Sequence, residues 1–157
     1  MKETYISFFK ELREKIIAEF ESLEPSARFV RTAWDHHSGG GGEMGLLRGD
    51  IFEKAGVNFS AVKGDKFPMQ DGAGPFFASG VSLITHMKNP KMPTVHMNVR
   101  YIETKDRSWI GGGYECTHFW ADPKRNFVGI IMSQNNEVRA PGYELNDKFR
   151  GELYKQL

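Results

Sequence analysis

The segment PTVHMNVRYIETK, residues 93–105, places His96, Asn98 and Arg100 at every second position. Side chains alternate sides along a strand, so these three share one face while Val95, Met97, Val99 and Tyr101 share the other. An imidazole could move a proton near neutral pH. A guanidinium beside it could hold a carboxylate through two parallel charge-assisted hydrogen bonds. The same alternation also describes a strand whose polar face only meets solvent, and spacing alone does not separate the two.

Three other patterns carry letters of known chemistry. WDHHSGGGGEMG, residues 34–45, sets His36 and His37 before four glycines. A phosphate-binding loop needs Lys and Ser or Thr after its last glycine, but Glu43 and Met44 follow here, and a carboxylate repels phosphate. Adjacent histidines on a strand point to opposite faces, so one metal rarely takes both, and hydrogen-bonding or solvated histidines are the better reading. Ser7 and Lys10 match Ser-x-x-Lys by letter, yet no Tyr-x-Asn, Ser-Asp-Asn or Lys-Thr-Gly accompanies them. Cys116 and His118 would share a face of a strand, but no third group orients the pair, so the thiol reads as a structural one.

Elements must position these residues. In residues 3–23, Tyr5, Phe9, Leu12, Ile16, Phe20 and Leu23 recur at steps of three or four, which predicts an amphipathic helix stopped by Pro25. ARFVRTAW has strand composition, and the glycines after it read as a loop. GDIFEKAGVNFSAVKG reads as two short strands with KAG as their turn. Residues 63–75 form a loop rich in Gly, Pro and Asp. FFASGVSLITHM and PTVHMNVRYIETK read as strands bridged by KNPKM. DRSWIGGGYE leads into a hairpin whose turn starts at Asp122-Pro123. A closing helix, NDKFRGELYKQL, takes Asn146 as its cap and turns Phe149, Leu153 and Tyr154 inward. Hairpins in this number predict α+β: an antiparallel sheet flanked by N- and C-terminal helices. Residues 94–102 and 114–133 should lie in one sheet, covered by the helix over 3–23.

The chain has 157 residues and a formal charge of +1, with 13% aromatic residues and one cysteine. That suits a single domain with a packed core. Such a charge gives no electrostatic case for nucleic acid or a membrane surface, and no apolar run approaches the length of a membrane span. A lone Cys116 and a charged N-terminus, MKETYISFFKELREK, fit a reducing, cytoplasmic setting.

FVRTAWDHHSGGGGEMGLLRGDIFEKAGVNFSAVKG and FFASGVSLITHMKNPKMPTVHMNVRYIETKDRSWIGGG resemble oxygen-dependent coproporphyrinogen III oxidases. The likeness runs from about residue 5 to Gly113. It implies oxidative decarboxylation of two substrate propionates to vinyl groups, with molecular oxygen as co-substrate and no organic cofactor. Through GVSLITH it implies Ser82 as a substrate contact and His86 as a metal or polar ligand. Through PTVHMNVRY it implies His96 as proton donor, with Asn98, Val99 and Arg100 on the substrate. It makes the glycine run, with Gly41 and Gly42, a loop where bare backbone approaches a flat macrocycle. The substrate's carboxylates suit a partly enclosed Arg100.

The chain departs from that family in places. Asp35 and His36 follow Trp34 where the family has Trp-x-Arg. After the glycines the family has Asp-Leu-Thr-Pro, whose Asp binds pyrrole N–H groups; here Glu115 stands at the Asp, Cys116 at the Leu and His118 at the Pro. The family's second half is expected to be missing. Instead THFWADPKRNFVGIIMSQ and KFRGELYKQL, within residues 113–157, resemble the C-terminal hairpin and helix of serine β-lactamases and esterases. These resemblances imply a chimera-like, shortened coproporphyrinogen oxidase, weakly active or inactive, with His96 and Glu115 as catalytic residues. A tetrapyrrole is the implied ligand and a homodimer the implied assembly. The alternatives are a structural chimera without catalysis and a serine hydrolase through Ser7.

Overall fold

The computed structural model describes residues 2–68, 74–114, 117–122 and 127–132. The chain opens with α1 (Lys2–Leu23). Eight strands follow: β1 (Val30–Asp35), β2 (Gly40–Leu47), β3 (Phe52–Gly64), β4 (Phe76–Met87), β5 (Val95–Thr104), β6 (Ser108–Tyr114), β7 (Thr117–Asp122) and β8 (Phe127–Met132). They pair in chain order into one sheet, each antiparallel to the next. A sheet in this order needs only short reversals between strands. The expected union of the His96 strand with the later hairpin is therefore found: β5 pairs with β6, β6 with β7, and β7 with β8. The helix expected over 146–157 lies outside the described residues.

α1 packs across one face of the sheet, against β3 and β4. Phe9, Arg13 and Ile17, at steps of four, form its buried seam. Phe9 meets Phe59, Val81 and Tyr101 in one cluster, while Ile17 meets Phe29, Leu47, Phe52, Ala55, Val57 and Leu83 in another. Tyr5 stacks on Tyr101 of β5 at 4.0 Å between ring centroids. The predicted stripe is corrected at one end. Leu23 is exposed, because the chain turns away after it toward Pro25, and Ile17 is buried in its stead. No helix among the described residues is long and apolar enough to cross a membrane.

β3 corrects a second expectation. Lys-Ala-Gly is no turn: β3 runs unbroken for 13 residues, paired along its length with β2 and β4. A register shift between Phe52 and Lys54 inserts one extra residue, which lets both Phe52 and Ala55 face the helix. The glycine run is corrected as well. Only Gly39 (φ 107°) and Gly40 (φ 82°) take left-handed conformations at the reversal, and Gly40, Gly41 and Gly42 already belong to β2. A Cβ on Gly42 would overlap the Phe59 carbonyl oxygen and come within 2.8 Å of the Trp34 indole. These glycines make room for the protein's own close packing.

The turn from α1 to β1 is pinned by a buried carboxylate. Glu24 accepts hydrogen bonds from the Ser26 hydroxyl and from the backbone N–H groups of Asp50, Ile51 and Phe52. Burial pushes this carboxyl up, but the Ser26 hydroxyl and the three amides together outweigh it and hold it at about 2.

Candidate functional site

Alternation along the strands gives the sheet two unlike faces. The helix side takes Val57, Phe59, Val81, Leu83, Val99 and Tyr101. The other side takes the residues between them, and the register aligns these into rows across the strands. One row runs Trp34, Gly42, Ser60, Gly80, Arg100, Gly111. The next runs Thr32, Met44, Asn58, Ser82, Asn98, Gly113. A third runs Val30, Leu46, Gly56, Ile84, His96. Adjacent members of a row stand about 4.8 Å apart.

The glycines shape this face. Arg100 lies between Gly80 on β4 and Gly111 on β6, and Asn98 has Gly113 on its β6 side. No side chain therefore crowds the guanidinium from either flank within its row. A Cβ on Gly80 would overlap the Val99 carbonyl oxygen and lie 2.9 Å from Arg100 Cα, so β4 and β5 approach more closely there than any larger residue allows. Arg100 Nη2 donates to Asn98 Oδ1 at 2.9 Å.

A cavity of about 400 Å³ opens on this face, lined by Trp34, Met44, Asn58, Ser60, Gly80, Ser82, Asn98 and Arg100 among others. Two larger openings, of about 850 and 950 Å³, run beside α1, where their lining cations stand among carboxylates of similar number. The smaller cavity gathers the selected polar side chains Ser82, Asn98 and Arg100 beside the bare backbone of Gly80, so the chemistry is placed there.

Of the predicted residues, Ser82, Asn98 and Arg100 come together in this cavity. His96 and His86 lie on the same face but outside its lining, and both are exposed. Arg100 is exposed too, where partial enclosure was expected. Val99 lines the cavity as well, although its side chain packs into the helix-side cluster with Val81. Gly41 and Gly42 line the 950 Å³ opening beside α1, because their strand passes under Trp34 at the sheet edge. Glu115 and Cys116 lie outside the described residues, as does the side chain of His118. Asn58, Ser60 and Trp34 are among the lining residues that the sequence motifs do not select. The alternation of Asn58 and Ser60 with Val57, Phe59 and Ala61 would have found two of them had β3 been read as one strand.

The remaining patterns resolve locally. His36 and His37 sit at the β1–β2 reversal rather than within a strand, so their rings tilt together with centroids 4.3 Å apart. His36 Nδ1 meets the Ser38 hydroxyl at 2.8 Å. No group of three or more His, Cys, Asp or Glu that could hold a metal ion occurs among the described residues. Ser7 donates to Glu11, and Lys10 lies over the Phe59 ring, so the Ser-x-x-Lys letters belong to ordinary helix-surface contacts. Glu43, which ruled out a phosphate loop, pairs with buried Arg13.

Residues 4–128 match the family described as Coproporphyrinogen III oxidase. The chain is similar to the oxygen-dependent coproporphyrinogen-III oxidase of Rickettsia felis, 43% identical over 141 aligned residues that cover 80% of this chain and 50% of the relative. The protein of that name from Rickettsia rickettsii (strain Sheila Smith) is 42% identical over an alignment 172 positions long, covering 99% of this chain and 58% of the relative. That from Rickettsia bellii is 39% identical over 137 aligned residues, covering 77% and 49%. The chain spans about half the length of the curated relatives it matches.

Proposed function

The chain belongs to the coproporphyrinogen III oxidase family, and from that premise we propose that the open face of its sheet is a wall that binds a carboxylate-bearing tetrapyrrole. The reaction it serves is the oxygen-dependent decarboxylation of coproporphyrinogen III to protoporphyrinogen IX in haem synthesis. One observation carries this reading: Ser82, Asn98 and Arg100 converge on one cavity in a face flattened by Gly80, Gly111 and Gly113. A flat macrocycle needs bare backbone beneath it and few, well-placed polar groups around it.

The roles follow from the side chains. Arg100 holds a propionate carboxylate by charge-assisted hydrogen bonds. Asn98, its oxygen engaged by Arg100, presents its NH2 as donor, and Ser82 adds a hydroxyl from the neighbouring strand. His96 is the proton donor and Glu115 the acceptor for pyrrole N–H groups. Each propionate loses carbon dioxide, a proton from the carbon next to the ring and two electrons to become a vinyl group, and molecular oxygen takes the four electrons of two such steps with four protons to become two water molecules. Because Arg100 and His96 are exposed, the chain by itself is weakly active or inactive.

The second reading is a structural chimera, with residues 113–157 drawn from a β-lactamase-like hairpin and helix. The family match extends past Gly113 to residue 128, which favours a single family over that span. A cytoplasmic homodimer completes the first reading. β1 and β8 are the edges of the described sheet, and an edge offers backbone N–H and C=O groups to a second copy. The test is titration with coproporphyrin III, followed through its absorption band, beside an assay for protoporphyrinogen formation in air and under anaerobic conditions. Absence of any binding would overturn the tetrapyrrole reading.

A further inference from the structure

We propose that Asn58 is a further ligand-positioning residue of this face, donating its amide N–H to a second carboxylate of the tetrapyrrole; the inference rests on the tetrapyrrole reading above. Asn58 stands on β3 directly opposite Ser82, which stands opposite Asn98. Three polar side chains thus occupy consecutive strands in one row, and all three line the cavity.

Among the described residues none is bonded to the Asn58 side chain. Its strand neighbours Val57 and Phe59 point to the helix side and build the core. Asn58 points the other way, is half-buried, and makes no hydrogen bond with a described residue. An amide carries two donors and an acceptor, and a half-buried one that loses its water without a partner costs free energy. A ligand that displaces that water must therefore offer a partner. Access is open. Gly56, the next residue along the strand on this face, has no side chain, and Asn58 Nδ2 lies 3.9 Å from where a Cβ on Gly56 would stand. Ser60, on the other side, is short.

Position decides which ligand group it meets. Asn58 is two strands from the Asn98–Arg100 pair, a separation of about 10 Å at ordinary strand spacing. One carboxylate cannot reach both. The cationic end at Arg100 takes one carboxylate, and Asn58 meets another across the macrocycle.

The experiment is titration of the full chain with coproporphyrin III, for wild type, Arg100→Ala, Asn58→Ala and Asn58→Asp, each with its circular dichroism and melting curve. The expected result is about tenfold weaker binding for Asn58→Ala and weaker still for Asn58→Asp, whose carboxylate repels the ligand's, on the scale of a hydrogen bond to a charged group. Asn58→Asp keeps the shape of the side chain, so it reads the site even where Asn58→Ala fails to fold. If Arg100→Ala weakens binding and both Asn58 variants match wild type, the Asn58 proposal fails while the tetrapyrrole reading stands. Binding by Asn58→Asp as tight as wild type or tighter would mean the residue accepts a pyrrole N–H instead, and would also overturn it. If wild type itself does not bind, both fail together.

Discussion

Arg100 and Asn98 are bonded to each other: the guanidinium Nη2 donates to the amide oxygen at 2.9 Å across one strand repeat of β5. The bond fixes which way the amide faces, with its NH2 directed away from Arg100. It uses one of five guanidinium donors, so a two-pronged grip on a carboxylate remains open. Two residues that alternation merely placed on one face are thus a single preformed unit.

Replacing Arg100 by Ala should weaken coproporphyrin III binding by about 1.5–3 kcal/mol, the scale of a hydrogen bond to a charged group. Arg100→Lys should recover only part of this, since an ammonium is a point charge without the planar fork. Asn98→Ala should lose less than Arg100→Ala, because the cation survives. A dissociation constant unchanged in Arg100→Ala would remove Arg100 from the site.

Gly80 tests the close approach of β4 and β5. Its Cβ would overlap the Val99 carbonyl oxygen and crowd Arg100, so Gly80→Ala must spread the strands. The expected cost is about 1–3 kcal/mol of stability, with weaker ligand binding because Arg100 shifts. Gly56→Ala is the contrast: its Cβ meets nothing nearer than 3.7 Å. That variant should be as stable as wild type or gain up to about 1 kcal/mol through a stiffer unfolded chain. Urea denaturation of the pair decides it, and equal losses would contradict the register.

Acid stability should hinge partly on Glu24. Its folded carboxyl is held at about 2, below the ordinary glutamate value of about 4.3 in an unfolded chain. A depressed carboxyl contributes its full stabilisation above the unfolded value and loses it as pH falls through 4 toward 2. Glu103 adds to the same slope, lowered first by its hydrogen bond to Lys2 and then by that to Tyr101. Glu24→Gln should therefore be less stable than wild type at pH 6, with the gap closing by pH 2. Gly49→Ala should behave similarly, because a Cβ there would overlap the Glu24 carboxyl group. Denaturation midpoints between pH 6 and 2 measure the gap; a constant gap would show that the nest does not discriminate charge.

Packing under α1 gives a plainer number. Phe9 is 1% exposed and touches strands β3 to β5 through Phe59, Val81 and Tyr101. Phe9→Ala should cost about 3–5 kcal/mol, the removed area plus the cavity left behind. Phe8→Ala, at an exposed neighbouring position, should cost under about 1 kcal/mol. Similar losses at both would mean that α1 is not docked by this face.

How much of this was visible beforehand depended on the range of the physics involved. The helix stripe and the alternation of β5 are local periodicities, and both were read correctly from Tyr5 to Phe20 and from Val95 to Tyr101. What a cross-strand neighbour decides was not visible. Gly56 looked like a turn residue because its partners on β2 and β4 are far away in sequence, and that error hid Asn58 and Ser60. The run Gly39–Gly42 looked like a loop because nothing in it announces that Trp34 and Phe59 will press against Gly42. Alternation with Asn98 and Arg100 points the Val99 side chain toward the core, and only the family likeness sets Val99 beside the ligand. The family likeness supplied Ser82, whose short side chain carries no periodic signal of its own.

Turnover is the final expectation, and it should be small. Decarboxylation leaves negative charge on carbon, and preorganised groups stabilise such charge best where water is excluded. Here Arg100 and His96 are exposed, and the 400 Å³ cavity is a shallow opening on a sheet face. Such a face can hold the macrocycle without drying it. Glu115 adds a positional cost: it is one methylene longer than the aspartate that the family resemblance places there, and a displacement of about 1 Å can cost 10²-fold in rate. Lost exclusion and lost positioning together should put oxygen-dependent formation of protoporphyrinogen at least about 10³-fold below a full-length relative. Glu115→Asp should recover part of the rate if position is the shortfall. Fluorescence of the oxidised product, compared in air and under argon, measures both. Near-normal turnover by this chain would mean that the open face is closed during catalysis by a movement or a second copy, and that exposure of Arg100 does not govern the chemistry.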